Sequence, residues 1–144
     1  MTKKIILTVF LFIFAGIGAK SFADLMYSKN FYEKLQTCTP YFQNQIYYTI
    51  EIMGRRGGRC VVEEKKLDLV TKQVKGISTC RFNQEQVDEI VAASKEPANK
   101  IVSRSVNMPD GSVLTMDNMH PTTMIWQYYL KIPEICENVN TKPY

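Results

Sequence analysis

The stretch QIYYTIEIMGRRGGRCVVEEKKLDLVTKQVKGISTCRF, residues 45–82, predicts the antiparallel sheet on which the rest of the chain is expected to pack. Its first part, residues 45–53, alternates apolar and polar side chains, which is typical of a strand buried on one face. Two further strands are predicted for residues 59–67 and 74–82, joined by a polar stretch. The face expected to point inward on the first strand carries Ile46, Tyr48, Ile50 and Ile52.

A glycine-rich loop at residues 54–58 (GRRGG) is predicted to turn the chain between the first two strands, because glycine accepts the positive φ angles that hairpin loops require. Arg55, Arg56 and Arg59 surround glycines whose backbone N–H groups can approach an anion. This arrangement indicates a site for a phosphate or a lipid headgroup. The alternative is a flexible hairpin tip that its charges keep soluble.

Aromatic residues cluster between positions 27 and 48, where they can form either core or a recognition surface. Adjacent Tyr47 and Tyr48 cannot both point inward on one strand, because successive side chains alternate between the two faces. We therefore predict Tyr47 as a further ligand-binding residue. Most of the cluster is expected to be core: Tyr27, Phe31, Tyr32, Tyr41, Phe42 and Tyr48.

Four cysteines, Cys38, Cys60, Cys80 and Cys136, predict two disulfides in an exported chain. A metal site is not indicated, because the chain has no C-x-x-C pair and only one histidine. If the second and third strands pair symmetrically about Val70, Cys60 lies opposite Cys80. This register predicts a Cys60–Cys80 bridge and leaves Cys38 with Cys136, although the sequence leaves the other two pairings open.

Helices are expected around the sheet, and the clearest begins after Asn83, where Asn83 and Gln86 form a capping-box pattern. A turn signal at residues 109–111 separates two further predicted strands. The fold class is therefore α+β, with a small antiparallel sheet of about five strands packed with two or three helices. The predicted helices span residues 25–35, 83–95 and 121–130, and the additional strands span residues 101–108 and 112–116.

The first 23 residues combine two early lysines, an apolar run at residues 5–19 and small residues before Asp24. This is the pattern of a secretory signal, cleaved after Ala23. A membrane anchor is the alternative, but a spanning helix needs roughly 20 apolar residues and Lys20 interrupts the run. We therefore expect residues 24–144 to form a single globular domain in the periplasm or outside the cell.

Most of the net positive charge belongs to the export signal. Removal of Lys3, Lys4 and Lys20 lowers the basic residues from 18 to 15, against 14 acidic ones. A nearly neutral mature chain does not favour broad binding to nucleic acid or to acidic membrane, because both rely on summed positive charge. The expected partner is a protein or an anionic envelope ligand, with no cofactor, no metal and no stable membrane insertion after cleavage.

No catalytic residue is indicated. His120 is the only histidine, no G-x-S-x-G motif is present, and His120 is expected to be a lone surface side chain. Glu63 and Glu64 should point to opposite sides of a strand, and the lysines that follow them are typical of a solvated edge. The function expected is that of a disulfide-stabilised binding or interaction protein, and a small hydrolase using unidentified acids is one alternative.

Residues 72–76 (KQVKG) resemble the central hairpin loop of cystatin-type protease inhibitors, whose pattern is Q-x-V-x-G. Val74 and Gly76 match, Lys72 replaces the glutamine, and Ile125 precedes Trp126 where a cystatin would have a Pro-Trp pair. The resemblance implies a helix on an antiparallel sheet and a second alternative function, inhibition of an extracytoplasmic hydrolase.

The purified protein is expected to begin at Asp24, because the segment before it has the features that signal peptidase recognises. Intact mass and N-terminal sequencing of protein taken from its native compartment test this cleavage. A membrane-retained chain that begins at Met1 would instead support the anchor.

Overall fold

The described part of the chain, residues 27–140 of a computed structural model, contains three helices and seven strands. The predicted signal at residues 1–23 and the first residues of the predicted helix at 25–35 lie outside it. None of the three helices is long and apolar enough to cross a bilayer. In chain order, the elements are α1 (Lys29–Thr37), β1 (Tyr41–Asn44), β2 (Tyr48–Arg56), β3 (Arg59–Leu67), β4 (Val74–Phe82), α2 (Gln84–Ser94), β5 (Val102–Asn107), β6 (Val113–Met119), α3 (Pro121–Leu130) and β7 (Cys136–Asn140).

Five of the strands form one antiparallel sheet in the order β1-β2-β3-β4-β7, which confirms the α+β class. β3 and β4 have the bounds that the sequence predicts. The two edge strands, β1 and β7, were not predicted, because they are only four and five residues long and do not alternate in polarity. The predicted strands at residues 101–108 and 112–116 form a separate hairpin, β5–β6, rather than extending the main sheet.

The first predicted strand begins later than its sequence pattern indicates. Ile46, expected to point inward, lies in the turn before β2 and is exposed, whereas Ile50 and Ile52 are fully buried. β2 continues to Arg56, past an irregularity between Ile52 and Gly54. The hairpin turn is therefore made by Gly57 and Gly58 alone. Their φ values are 57° and 78°. Positive φ angles of this kind are required in a two-residue turn that matches the twist of the strands.

The predicted disulfide pairing is wrong, and the register of the central hairpin explains why. Val62 lies opposite Cys80, and Cys60 lies opposite Phe82, so β3 and β4 are offset by two residues from the register that would place Cys60 against Cys80. The loop before β4 and an irregularity between Lys66 and Leu67 set this offset. A slide of two residues keeps the same side chains inward, so the alternation of polarity could not distinguish the two registers.

The two disulfides are Cys38–Cys60 and Cys80–Cys136, with Cα–Cα distances of 5.6 Å and 4.0 Å. The first ties the residue after α1 to the second residue of β3. The second joins directly opposed residues of β4 and β7. Both bridges therefore hold an outlying element on the inward face of the central hairpin.

The core lies between that face and the three helices. Trp126 of α3 is 1% exposed and stands at its centre, with the rings of Tyr27, Phe31 and Phe82 within 6.4 Å between centroids. Aromatic pairs at these distances stabilise a core beyond the area they bury. The helices are thus aligned on the sheet by one aromatic cluster.

Local signals place the boundaries of α2 and α3 well, whereas α1 begins at Lys29 after the Ser28 cap and runs to Thr37, two residues past the predicted end. Asn83 accepts a hydrogen bond from the Gln86 N–H, and the Gln86 side chain accepts one from the Asn83 N–H, so the predicted capping box is present. α3 begins at Pro121 and ends at Leu130, as predicted. Proline suits the first turn, where its missing N–H costs no hydrogen bond.

Replacing either cysteine pair with alanine should destabilise the fold, by about 3 to 4 kcal/mol, because each bridge restricts the unfolded chain. The Cys80–Cys136 bridge encloses 56 residues and the Cys38–Cys60 bridge encloses 22. Loss of the Cys80–Cys136 bridge should therefore lower the free energy of unfolding more, by about 0.8 kcal/mol. Urea unfolding of the two double variants measures the difference, and peptide mapping tests the pairing. A Cys60–Cys80 peptide from native protein would contradict the register described above.

Candidate functional site

A cleft of about 640 Å³ opens between α1, α2 and the beginning of α3. Its size lies in the range of small-molecule sites. Aromatic and aliphatic side chains form much of its wall, and polar groups from three separate segments reach it. The residues on which its chemistry depends are Tyr27, Tyr32, Val91, Ser94, His120 and Thr122.

His120 is buried, not a lone surface side chain as the sequence indicated. Its Nδ1 accepts a hydrogen bond from the Thr122 N–H at 3.3 Å, so it caps α3. Its Nε2 lies 3.2 Å from the Pro97 carbonyl oxygen. Because Nδ1 accepts, Nε2 carries the proton and donates to Pro97. Both ring nitrogens are engaged, which makes His120 a support for the wall of the cleft rather than a base.

Thr122 brings a hydroxyl to the same wall. The residue is 4% exposed, and its Oγ1 has no hydrogen-bond partner among residues 27–140. A buried hydroxyl without a partner costs folding free energy, by about 1 to 3 kcal/mol. Thr122 thus lines the cleft, while its unpaired hydroxyl oxygen is enclosed and has almost no surface open to solvent.

One residue of the cleft wall, Tyr27, is hydrogen-bonded to a buried carboxyl group outside the lining. Glu64, predicted at a solvated edge, lies on β3, the middle strand of the sheet, and is 8% exposed. Lys65 and Lys66, which suggested a solvated edge, follow Glu64 near the end of β3, where the strand leaves the core. The Tyr27 hydroxyl donates a hydrogen bond to Glu64 Oε2. Burial, and next the adjacent Glu64 carboxylate, raise the pKa of Tyr27 well above its usual value.

Tyr32, which also lines the cleft, and Tyr48, which does not, both pack against Tyr27. Burial raises the pKa of both tyrosines, and the charge of Glu64 adds to the effect at Tyr48. The ring of Tyr27 meets those of Tyr32 and Tyr48 edge-on, at 6.0 Å and 5.6 Å. The three phenols thus remain neutral near neutral pH and present aromatic rather than charged surface.

Charges at the mouth of the cleft are nearly balanced. Lys29 lies 3.6 Å from Glu33, and Lys100 lies 3.0 Å from Glu96. Exposed pairs of this kind contribute little to stability, about 0 to 1 kcal/mol. Lys95 also lines the cleft, and among the described residues it has no ion pair. The mouth therefore does not select strongly for one sign of charge.

The predicted anion site is elsewhere, and its arginines do not converge. Arg56 and Arg59 pair across the turn and are exposed, whereas Arg55 opposes buried Cys60 and donates to the Gln84 side chain at the start of α2. Tyr47, the fourth predicted binding residue, precedes the opposite end of β2, about 30 Å from Arg56 along the strand. Anion binding at the tip stays a prediction.

The motif that resembles a cystatin loop lies in regular structure. Val74 and Gly76 belong to β4, and Gly76 is buried beside Asn140 of β7. Leu69 and Val70 occupy the actual tip of this hairpin. The resemblance in sequence thus does not place those two motif residues at a hairpin tip.

Within residues 27–140, no three His, Cys, Asp or Glu side chains come close enough together to hold a metal ion. Sequence analysis did not identify the cleft, because its walls come from segments more than 90 residues apart in the chain.

Comparisons with known protein families, curated proteins and solved structures find no match to this chain.

Substitution of Tyr27 with Phe should destabilise the protein at pH 7, by about 1 to 3 kcal/mol, because Glu64 then loses a buried donor. Replacing both residues, as Tyr27→Phe with Glu64→Leu, should cost less than Tyr27→Phe with Glu64 retained. Urea unfolding measures both effects, and Tyr47→Phe is the matched control at an exposed tyrosine.

The same pair predicts a loss of stability in alkali. The folded-state pKa of Tyr27 is above its unfolded value of 10.0, so the stabilisation is complete below pH 10.0 and is lost as the pH rises towards the folded-state pKa. In the Tyr27→Phe variant, the free energy of unfolding should fall less steeply with rising pH in this window. A slope equal to that of the unsubstituted protein would mean that Tyr27 does not titrate as described.

Proposed function

We propose that this protein is an extracytoplasmic binding protein that holds a small ligand in the cleft between α1, α2 and α3. The observation that carries the proposal is the enclosed hydroxyl of Thr122, a residue of the cleft wall, which has no hydrogen-bond partner among the described residues. Folding leaves such groups unpaired only at a cost, and explanations for them include a role in binding. A ligand hydrogen-bonded to Thr122 Oγ1 would recover that cost.

The two disulfides support the compartment. Disulfides persist in oxidising surroundings and are rare in the cytosol, and all four cysteines are paired. Export through residues 1–23 would deliver the chain to such surroundings. The proposal therefore places the cleft where it meets solutes of the envelope or the exterior.

The wall of the cleft indicates the kind of ligand. Tyr27 and Tyr32 contribute ring surface, Val91 contributes aliphatic surface, and Thr122 and Ser94 contribute hydroxyl groups. Such a lining suits a molecule with a flat or apolar body and one or two hydrogen-bonding groups. Because the charged pairs at the mouth are balanced, the contacts of the ligand's flat or apolar body, rather than its charge, would dominate the binding affinity.

The two alternatives find less support within residues 27–140. The matched residues of the cystatin-like motif, Val74 and Gly76, lie in a strand and not at a tip. The acidic residues at the cleft mouth, Glu33 and Glu96, are each paired with a lysine. Neither inhibition nor hydrolysis has a specific geometric observation in its favour.

The test uses the fluorescent probe 1-anilinonaphthalene-8-sulfonate, an aromatic anion whose emission rises in apolar clefts. Ala98 is an exposed residue on the cleft wall, so Ala98→Trp should block the mouth and lower the probe affinity by at least about tenfold, if several apolar contacts are lost. Ala92→Trp is the matched control, because Ala92 is exposed on α2 outside the cleft lining. Equal probe binding by the two variants would place the apolar site elsewhere.

A second variant separates binding from folding. Thr122→Val removes the unpaired hydroxyl at nearly constant volume, so the free energy of unfolding should stay the same or rise by up to about 1 kcal/mol. Native mass spectrometry of protein taken from its own compartment should show a bound small molecule, with lower occupancy in Thr122→Val and Ala98→Trp. A clear loss of stability in Thr122→Val would show that the hydroxyl serves the fold, and unliganded native protein would contradict the proposal.

A further inference from the structure

Two hairpin loops at one end of the main sheet expose large apolar side chains. The β1–β2 loop presents Ile46 and Tyr47, which are 66% and 54% exposed, and the β3–β4 loop presents Leu69 and Val70, which are 55% and 89% exposed. We call these four residues the loop edge. Monomeric proteins rarely keep a contiguous apolar patch in water unless it contacts something.

The two loops form one surface. The Leu67 N–H donates to the Tyr47 carbonyl oxygen at 2.8 Å, and Lys72 Nζ donates to the Ile46 carbonyl oxygen at 3.3 Å. β2 begins where β3 ends, so both tips project from the same end of the sheet. The two loops are therefore held side by side by one main-chain hydrogen bond and by one from the Lys72 side chain.

The β3–β4 loop is built to display its apolar tip. Asp68 Oδ1 accepts hydrogen bonds from the N–H groups of Val70 and Thr71, both at 2.9 Å. Lys75 Nζ lies 2.7 Å from Asp68 Oδ2. These hydrogen bonds, that of Lys75 first, hold the pKa of Asp68 well below its usual value. Leu69 and Val70 thus point into solvent because a turn holds them there.

The charge around the loop edge is positive. Residues 65–76 contain four lysines and one acidic residue; Lys75 is paired with Asp68, and Lys65 is paired with Glu63. Lys66 and Lys72 are exposed, and the β1–β2 loop carries no charge. Residues 24–144 carry 15 basic against 14 acidic residues, yet two exposed lysines stand beside the apolar tips. That combination is complementary to an anionic lipid surface.

We infer that the loop edge docks the protein on anionic lipid bilayers. Ile46, Leu69 and Val70 enter the boundary between headgroups and acyl chains, and Tyr47 lies at headgroup level, where its ring and hydroxyl are both accommodated. Lys66 and Lys72 contact lipid phosphates. The contact is peripheral, and it leaves the cleft, which lies among the helices, open to water.

A tryptophan placed in the loop edge tests this directly. Val70→Trp should shift its emission to shorter wavelength and be quenched by brominated lipid in vesicles of phosphatidylglycerol and phosphatidylcholine. Val113→Trp, at a 62% exposed valine of the β5–β6 hairpin, is the matched control and should not respond. The native Trp126 is 1% exposed and contributes a constant background. Because the readout is local, it is valid whether or not residues 1–23 remain attached.

Sedimentation with the same vesicles tests the two contributions separately. The double variant Leu69→Ser with Val70→Ser should lower the partition constant for the vesicles by about tenfold or more, because apolar burial is lost. Lys66→Gln and Lys72→Gln should each lower it by about fivefold on anionic vesicles, with no effect on phosphatidylcholine alone. An equal response of both tryptophans, or no response of Val70→Trp, overturns the inference. Capture of a protein partner by the loop edge without vesicle binding would assign the surface to protein recognition instead.

Discussion

The register of β3 against β4 is the constraint on which the rest of the structure depends. Both disulfides start from this hairpin, at Cys60 and Cys80, and both sulfur atoms lie on the face that the helices cover. The offset between the strands decides where the end of α1 and the start of β7 can attach. With those two elements in place, the helices close on Trp126 and the cleft acquires its walls.

The sequence predicts best those elements whose signals are local. β3, β4 and the start of α2 follow from alternation, from turn residues and from the Asn83–Gln86 capping box, all of which act within a few positions. The edge strands and the disulfide partners depend on contacts between distant segments. Cys136 finds Cys80 only because β7 pairs with β4, and the short, polar sequence of β7 does not indicate a strand.

The candidate site was missed for a related reason. Glu64 and His120 were assigned to the surface, yet both are buried because partners far along the chain surround them. Glu64 meets Tyr27, and His120 meets the Pro97 carbonyl oxygen. A single sequence shows the residue type but not these encounters. The exposed apolar tips at Leu69 and Val70, in contrast, are visible in the sequence as an apolar pair inside a polar loop.

The two-residue offset of the central hairpin also bears on how the protein reaches its native state. A chain that pairs β3 with β4 two residues out of place still buries the same side chains, and it brings Cys60 and Cys80 together. Oxidation at that moment would lock a non-native bridge between residues only 20 positions apart, which form contact sooner than Cys80 and Cys136 because short loops close faster. The Asp68 turn, whose hydrogen bonds lie within four residues of the chain, would oppose this kinetic trap if it formed before oxidation. Chains that oxidise before the turn forms would need thiol–disulfide exchange, through attack by Cys38 or Cys136, to escape it.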